Sequence, residues 1–160
     1  MKKSVGICLF LTLLPLCFAC AATGEYRNDV SVETLCDAVR AEWSGYLSDT
    51  SSIVKDHFPS DASVIEHAVL YRGETSSLDE IGFFRLKSGD PSALALQIQR
   101  DYLASSYDKN HTFYDSYMPN ETPKLQNAEV RVYGNYVVYA ILSEADKATL
   151  FRFVEEALRP

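Results

Sequence analysis

The sequence predicts an α+β domain: N-terminal helices, then two strand–strand–helix units forming an antiparallel sheet of about four strands with helices packed on one face. Three observations predict it. Apolar residues between positions 31 and 48 recur at steps of three and four, the period of one helical face. Gly134-Asn135 separates two strand-like runs, a two-residue hairpin signal. Leu86, Asp90, Leu94 and Ile98 are matched by Leu142, Asp146, Leu150 and Val154, each 56 residues further on, as two copies of one unit would be.

The elements follow in order. Ser31 is a helix cap, and Val32, Leu35, Cys36, Val39, Trp43, Tyr46 and Leu47 make one apolar stripe, so a helix is expected over 31–48. A shorter helix is expected from Ser51 or Ser52 to Phe58, stopped by Pro59. Val64 to Tyr71 and Ile81 to Leu86 read as strands around a loop from Gly73 to Leu78. Asp90-Pro91 is a cap followed by Pro at the first helical position, and a helix is expected from Pro91 to about Tyr107. Asp108 to Asn127 mixes polar and aromatic residues and reads as a helix extension or turn, then a loop. Glu129 to Tyr133 and Tyr136 to Leu142 are the hairpin strands. Ser143 and Asp146 resemble a capping box for a last helix with Leu150, Phe151, Val154 and Leu158 on one face.

The chain has 160 residues, 47% hydrophobic and 23% charged, which is globular composition for one domain plus an appendage. The appendage is N-terminal. Met1-Lys2-Lys3 is basic, and Val5 to Ala22 carries no charge and ends in small residues, the pattern of a secretory signal peptide. A membrane-spanning helix is the rival, and Pro15 makes a continuous span less comfortable. The expected division is a signal peptide of lipoprotein type over 1–19, a tether over 20–30 and one α+β domain over 31–160.

Leu16-Cys17-Phe18-Ala19-Cys20 resembles the lipobox of bacterial lipoproteins, in which the Cys after a small residue is lipid-modified and becomes the new N-terminus. Cys20 is therefore the expected lipidation site, and its chains suffice for stable anchoring. Ordinary cleavage near Ala21 or Ala22, giving a secreted protein, is the alternative. Loss of residues 1–19 removes Lys2 and Lys3, so the net charge goes from −7 to −9, with 13 basic residues against 22 acidic. That balance excludes nucleic acid, which needs a basic face. Of the four Cys, only Cys36 lies clear of the leader; it sits on the helix stripe as a buried, unpaired thiol.

The order of these pieces resembles a family. A lipoprotein-like leader precedes an amphipathic helix, two strands and a helix. Next come Phe113-x-x-x-Tyr117-x-Pro119 and Gly134-Asn135-Tyr136-Val137, with Glu80-Ile81 at a strand start. Over roughly residues 30–155 this is similar to the domain of unknown function 4358 family of small lipoproteins from Gram-positive bacteria. Cys17 departs from the usual Leu of the lipobox. The resemblance implies an exported, membrane-tethered domain with no catalytic residues to carry over.

Chemistry-bearing residues are sparse. The three His sit in Asp56-His57, Glu66-His67 and the aromatic segment at His111, none with metal-ligand spacing, so no metal and no cofactor are expected. Asp79-Glu80 could act as an acid pair, but neighbours on a strand point to opposite faces, so the two are not expected to share a site. Asn110-His-Thr112 and Asn120-Glu-Thr122 match glycosylation acceptors, which matter only on a eukaryotic secretory route. Tyr107, Phe113, Tyr114 and Tyr117 stand among polar residues, either pinning a loop or forming a binding edge. The expected role is a non-enzymatic binding or accessory lipoprotein at the cell surface, held to the membrane by its lipid and meeting an envelope protein. The alternative is an envelope enzyme, hydrolase-like, with a site not visible in sequence.

Overall fold

The computed structural model describes residues 26–49, 64–73 and 76–160. The leader, Cys20, most of the tether, the expected 51–58 helix and Asp56-His57 lie outside the described residues.

The α+β class holds. Five strands form one antiparallel sheet in the order β1-β2-β3-β5-β4. They are β1 (Tyr46–Asp49), β2 (Val64–Arg72), β3 (Glu80–Leu86), β4 (Glu129–Tyr133) and β5 (Tyr136–Ile141). Gly134, at φ 57°, turns β4 into β5, and Tyr133 pairs with Tyr136 across the hairpin. A positive φ costs a glycine little, which is why this turn carries one.

Helix α1 (Val32–Glu42) starts where Ser31 caps it: the Ser31 Oγ accepts the Thr34 amide at 3.1 Å. It ends six residues earlier than the apolar spacing predicts. Trp43 is already extended, Gly45 turns the chain at φ 88°, and Tyr46 and Leu47 enter β1 instead. The spacing of Tyr46 and Leu47 suited a helix, but pairing with the free edge of β2 decided their conformation. This makes five strands where about four were expected.

Asp90 caps α2 (Pro91–Gln97), which runs without a break through a π-helical stretch, Ile98–Ala104, into α3 (Ser105–Tyr117). The segment after Asp108, which reads as a helix extension or turn and then a loop, is a helix extension as far as Tyr117. A short helix, α4 (Thr122–Gln126), returns the chain to β4. The last helix, α5 (Glu144–Leu158), is capped by Ser143 as the sequence implies.

Helices α1 and α5 lie together on one face of the sheet. Val32, Leu35, Cys36 and Val39 meet Leu150, Phe151, Val154 and Leu158 over Ile81, Phe83, Val138 and Ala140. The other face is covered as well, by Leu94, Ile98, Tyr102, Leu103 and Leu125 over Phe84, Val137, Tyr139 and Ile141. Every residue of β5 is consequently buried. The residues matched at 56-residue spacing end on opposite faces, Leu94 and Ile98 on one and Leu150 and Val154 on the other, so the two units are not related by symmetry.

Residues 26–30, counted with the tether in sequence, lie against the domain. The Arg27 amide donates to the Leu158 carbonyl at 2.8 Å, the Tyr136 hydroxyl donates to the Val30 carbonyl at 2.6 Å, and the Tyr26 ring meets Tyr133 edge-on. Tyr26 also touches the place a side chain at Gly134 would fill, so the described chain enters at the β4–β5 turn. Among the described residues no helix is long and apolar enough to cross a membrane.

Candidate functional site

The opposite end of the sheet carries the polar chemistry. Strand β3 begins there at Glu80, and the β2–β3 return, Ser77 to Asp79, leads into it. Helix α3 brings Ser106 and Tyr114 to this end, and α4 brings Lys124. Asp79 is 6% exposed, so its charge needs partners. Its Oδ1 accepts Lys124 Nζ at 2.6 Å and its Oδ2 accepts Arg72 Nε at 3.0 Å. The Tyr46 hydroxyl donates to the same Oδ2 at 3.4 Å. The Arg72 guanidinium stands 5.1 Å from the Tyr46 ring centre, a cation–π distance. Lys124 also meets Glu121 Oε2 at 2.8 Å, and that oxygen takes the Leu78 amide at 3.0 Å. These bonds tie the β2–β3 return to α4, more than 40 residues away in sequence.

Glu80 has a different setting. Its Oε1 accepts the Tyr102 hydroxyl at 2.7 Å and the Tyr139 hydroxyl at 2.5 Å. Tyr139 reaches it because Gly82 pairs directly with Tyr139 on β5. The ring occupies the space a Cβ at Gly82 would fill, 1.9 Å from the ring carbon Cε1. A strand alternates its faces, so Glu80 and Gly82 lie on the same side and the hydroxyl lands on the carboxylate two residues along.

Burial, and then the charge of Glu80, push the Tyr102 and Tyr139 hydroxyls well above the ordinary phenol range. Burial, and then the charge of Asp79, push Tyr46 up to about 12. At neutral pH all three are therefore proton donors to carboxylates. Burial works to lower the Lys124 ammonium, but its bonds to Asp79 and Glu121 prevail and the net shift is upward.

A cavity of about 180 Å³ opens at this end, walled by Tyr71, Arg72, Asp79, Glu80, Tyr102 and Tyr114 among others. Asp79 and Glu80 take separate partners, as strand alternation requires. Both nevertheless border this one cavity, contrary to the expectation that they would not share a site. The reason is that Asp79 precedes the strand proper and faces the end of the sheet, where α4 reaches it.

The four aromatics of the expected binding edge all lie on α3, and they divide by face. Tyr107 and Tyr114 turn inward against the core, Tyr107 accepting the Gln126 side-chain amide at 2.6 Å and Tyr114 walling the cavity. Phe113 and Tyr117 face out, 55% and 75% exposed, with ring centres 4.9 Å apart. They are helical, so they pin no loop. His111 packs its ring against Tyr107, and His67 stacks on Phe84 within the sheet. Among the described residues no group of His, Cys, Asp and Glu is arranged to hold a metal ion.

Arg72, Lys124, Glu121, Tyr71 and Ser106 are site residues that sequence reasoning missed. No chemical motif marks them; β2 supplies Tyr71 and Arg72, α3 supplies Ser106, and α4 with its N-cap residue supplies Lys124 and Glu121. Comparison with family models, with curated proteins and with solved structures found no match for this chain.

Proposed function

We propose that this protein is an exported lipoprotein of the domain of unknown function 4358 type. In this reading it is anchored through Cys20 and binds an envelope protein rather than catalysing a reaction. One observation carries the binding half: the exposed Phe113–Tyr117 pair sits beside a polar cavity at the sheet end remote from Tyr26, where the described chain begins. Strand β3 separates those ends by seven residues, about 20 Å at the usual strand rise. A chain tethered on the Tyr26 side presents the aromatic end outward. Two adjacent exposed rings favour protein contact, since aromatics are enriched where interfaces bury their centres.

The anchoring half rests on the apolar leader and Ala19-Cys20. Cys20→Ser should release the protein from membranes and block leader processing. Continued membrane attachment with normal processing would refute lipidation there. The binding half is tested by photo-crosslinking in intact cells. A crosslinker at position 117 should trap a discrete partner, while one at exposed Lys87, at the other end of the sheet, should not. Equal yields from both positions would count against the binding edge. A second reading, an envelope hydrolase, draws on the two carboxylates at the cavity. It predicts turnover of an envelope substrate that Glu80→Gln abolishes.

A further inference from the structure

We propose that helices α3 and α4, residues Ser105 to Gln126, form a strap that lifts off the sheet as one unit, hinged at the π-helical stretch and latched by Lys124 on Asp79. The inference goes beyond the reading of this protein as a binding domain and needs no partner. Three features support it.

The first is how little holds the strap down. From Ser105 to Gln126 only Thr122 and Leu125 are buried, and Tyr107 and Tyr114 add partial contact with the core. The stretch just before it, Ile98–Ala104, buries Ile98, Tyr102 and Leu103, so the firm anchoring stops where the strap begins. Segments with little buried apolar surface open locally, at a free energy below that of global unfolding. The junction is π-helical, and such stretches are where long helices bend.

The second is that the two helices are tied to each other. At one end the Met118 carbonyl accepts the Glu121 amide at 2.9 Å, the Thr122 amide at 3.1 Å and the Thr122 hydroxyl at 3.2 Å, which closes a tight turn. At the other end Gln126 Nε2 donates to the Tyr107 hydroxyl at 2.6 Å. A helical hairpin fastened at both ends opens as one piece rather than helix by helix.

The third is the latch. Lys124 Nζ donates to Asp79 Oδ1 at 2.6 Å, and Glu121 Oε2 accepts the Leu78 amide at 3.0 Å. Both bonds join the strap to the β2–β3 return, and lifting the strap breaks them together. It also takes Ser106, Tyr114 and Leu125 out of the cavity wall, so the hollow over Asp79 and Glu80 becomes an open cleft. A nearly buried carboxylate that loses a cationic partner is destabilised, which makes the closed strap the resting state.

The test is native-state hydrogen exchange of the purified full-length protein, read amide by amide by NMR at low denaturant. The amides of α3, of Gln126 and of Leu78 should share one opening free energy, with a weaker denaturant dependence than the β3 and β5 amides. The Leu78 amide belongs to this set because its acceptor sits on the strap. Lys124→Met keeps most of the stem and removes the ammonium, so it should speed exchange of the whole set by about tenfold relative to β5. Measuring against β5 separates this effect from any loss of global stability. Glu121→Gln leaves the Asp79–Lys124 pair whole; as the milder variant it should speed the same set by about threefold. Exchange of α3 only together with β3 and β5 would overturn the proposal. So would folded variants that speed Gln126 and Leu78 but leave α3 unchanged, or that change none of them.

Discussion

Gly82 shows how one missing side chain organises the site. Its pairing with Tyr139 lets the ring cross the strand, and a methyl group there would sit 1.9 Å from a ring carbon. Tyr139 is fully buried and cannot swing out, so Gly82→Ala should cost about 3 kcal/mol, at the upper end for overpacking. The measurement is urea denaturation, and the cost should shrink in a Tyr139→Leu background. An additive double mutant would show that the ring is not what Gly82 accommodates. Cys36 is the opposite case, a small group packed inside the core. It is 0% exposed on the α1 stripe, and burial pushes its thiol up to about 12. Native protein should resist thiol reagents at mildly alkaline pH, and Cys36→Ala should cost about 1 kcal/mol. Rapid labelling of the folded state would contradict that burial.

At the scale of elements, both long amphipathic helices depend on a serine cap. Ser31 accepts the Thr34 amide at 3.1 Å and Ser143 the Asp146 amide at 3.2 Å. Ser→Ala at either position should cost about 1 kcal/mol, and Ser→Asp should recover most of it. Helix α1 has a second attachment. Glu66 on β2 accepts the Val32 amide at 2.8 Å through one oxygen and pairs with Arg85 on β3 through the other. A carboxylate at a helix N-terminus that also neutralises a mostly buried guanidinium serves two charges at once. Glu66→Gln should lower stability by about 2 kcal/mol, more than loss of either cap. A loss no larger than that of Ser31→Ala would mean the ion pair contributes nothing.

The whole molecule should be alkali-sensitive. Burial raises Tyr46 and Tyr133 from 10.0 to about 12 and Cys36 from 9.0 to about 12. Each group holds its proton more tightly when folded than when unfolded. Their contribution is therefore complete below pH 9, declines as the unfolded groups ionise, and is gone above the folded values near 12. Each group adds a slope of about 1.4 kcal/mol per pH unit while only the unfolded form is ionised. Denaturant melts across this range should show constant stability up to about pH 9 and a steep fall above about 10. In the native protein, the tyrosinate absorbance of Tyr46, Tyr133 and Tyr139 should appear only well above pH 10, together with unfolding. Earlier appearance of that absorbance would show the buried tyrosines to be accessible.

The sequence by itself determined the elements whose stripes face one core. Val32, Leu35, Cys36 and Val39 marked α1, the Gly134-Asn135 turn set the register of β4 on β5, and Leu150, Phe151, Val154 and Leu158 marked α5. These are local periodicities with a local punctuation, and burial only reinforces them. Past Tyr107 the sequence leaves helix α3 open between an extension and a turn, because it buries no residue completely and its apolar spacing is weak. It is helical because it continues a rod already packed on the sheet. The end of α1 was misread because Tyr46 and Leu47 kept the helical spacing, whereas the unpaired edge of β2 offered them backbone hydrogen bonds. Only the tertiary structure decided the cavity. Asp79 meets Lys124 across 45 residues, and Glu80 meets Tyr139 across 59. No local pattern encodes such contacts; they arise because a carboxylate taken out of water must find donors, and the packed sheet and returning helix supply them.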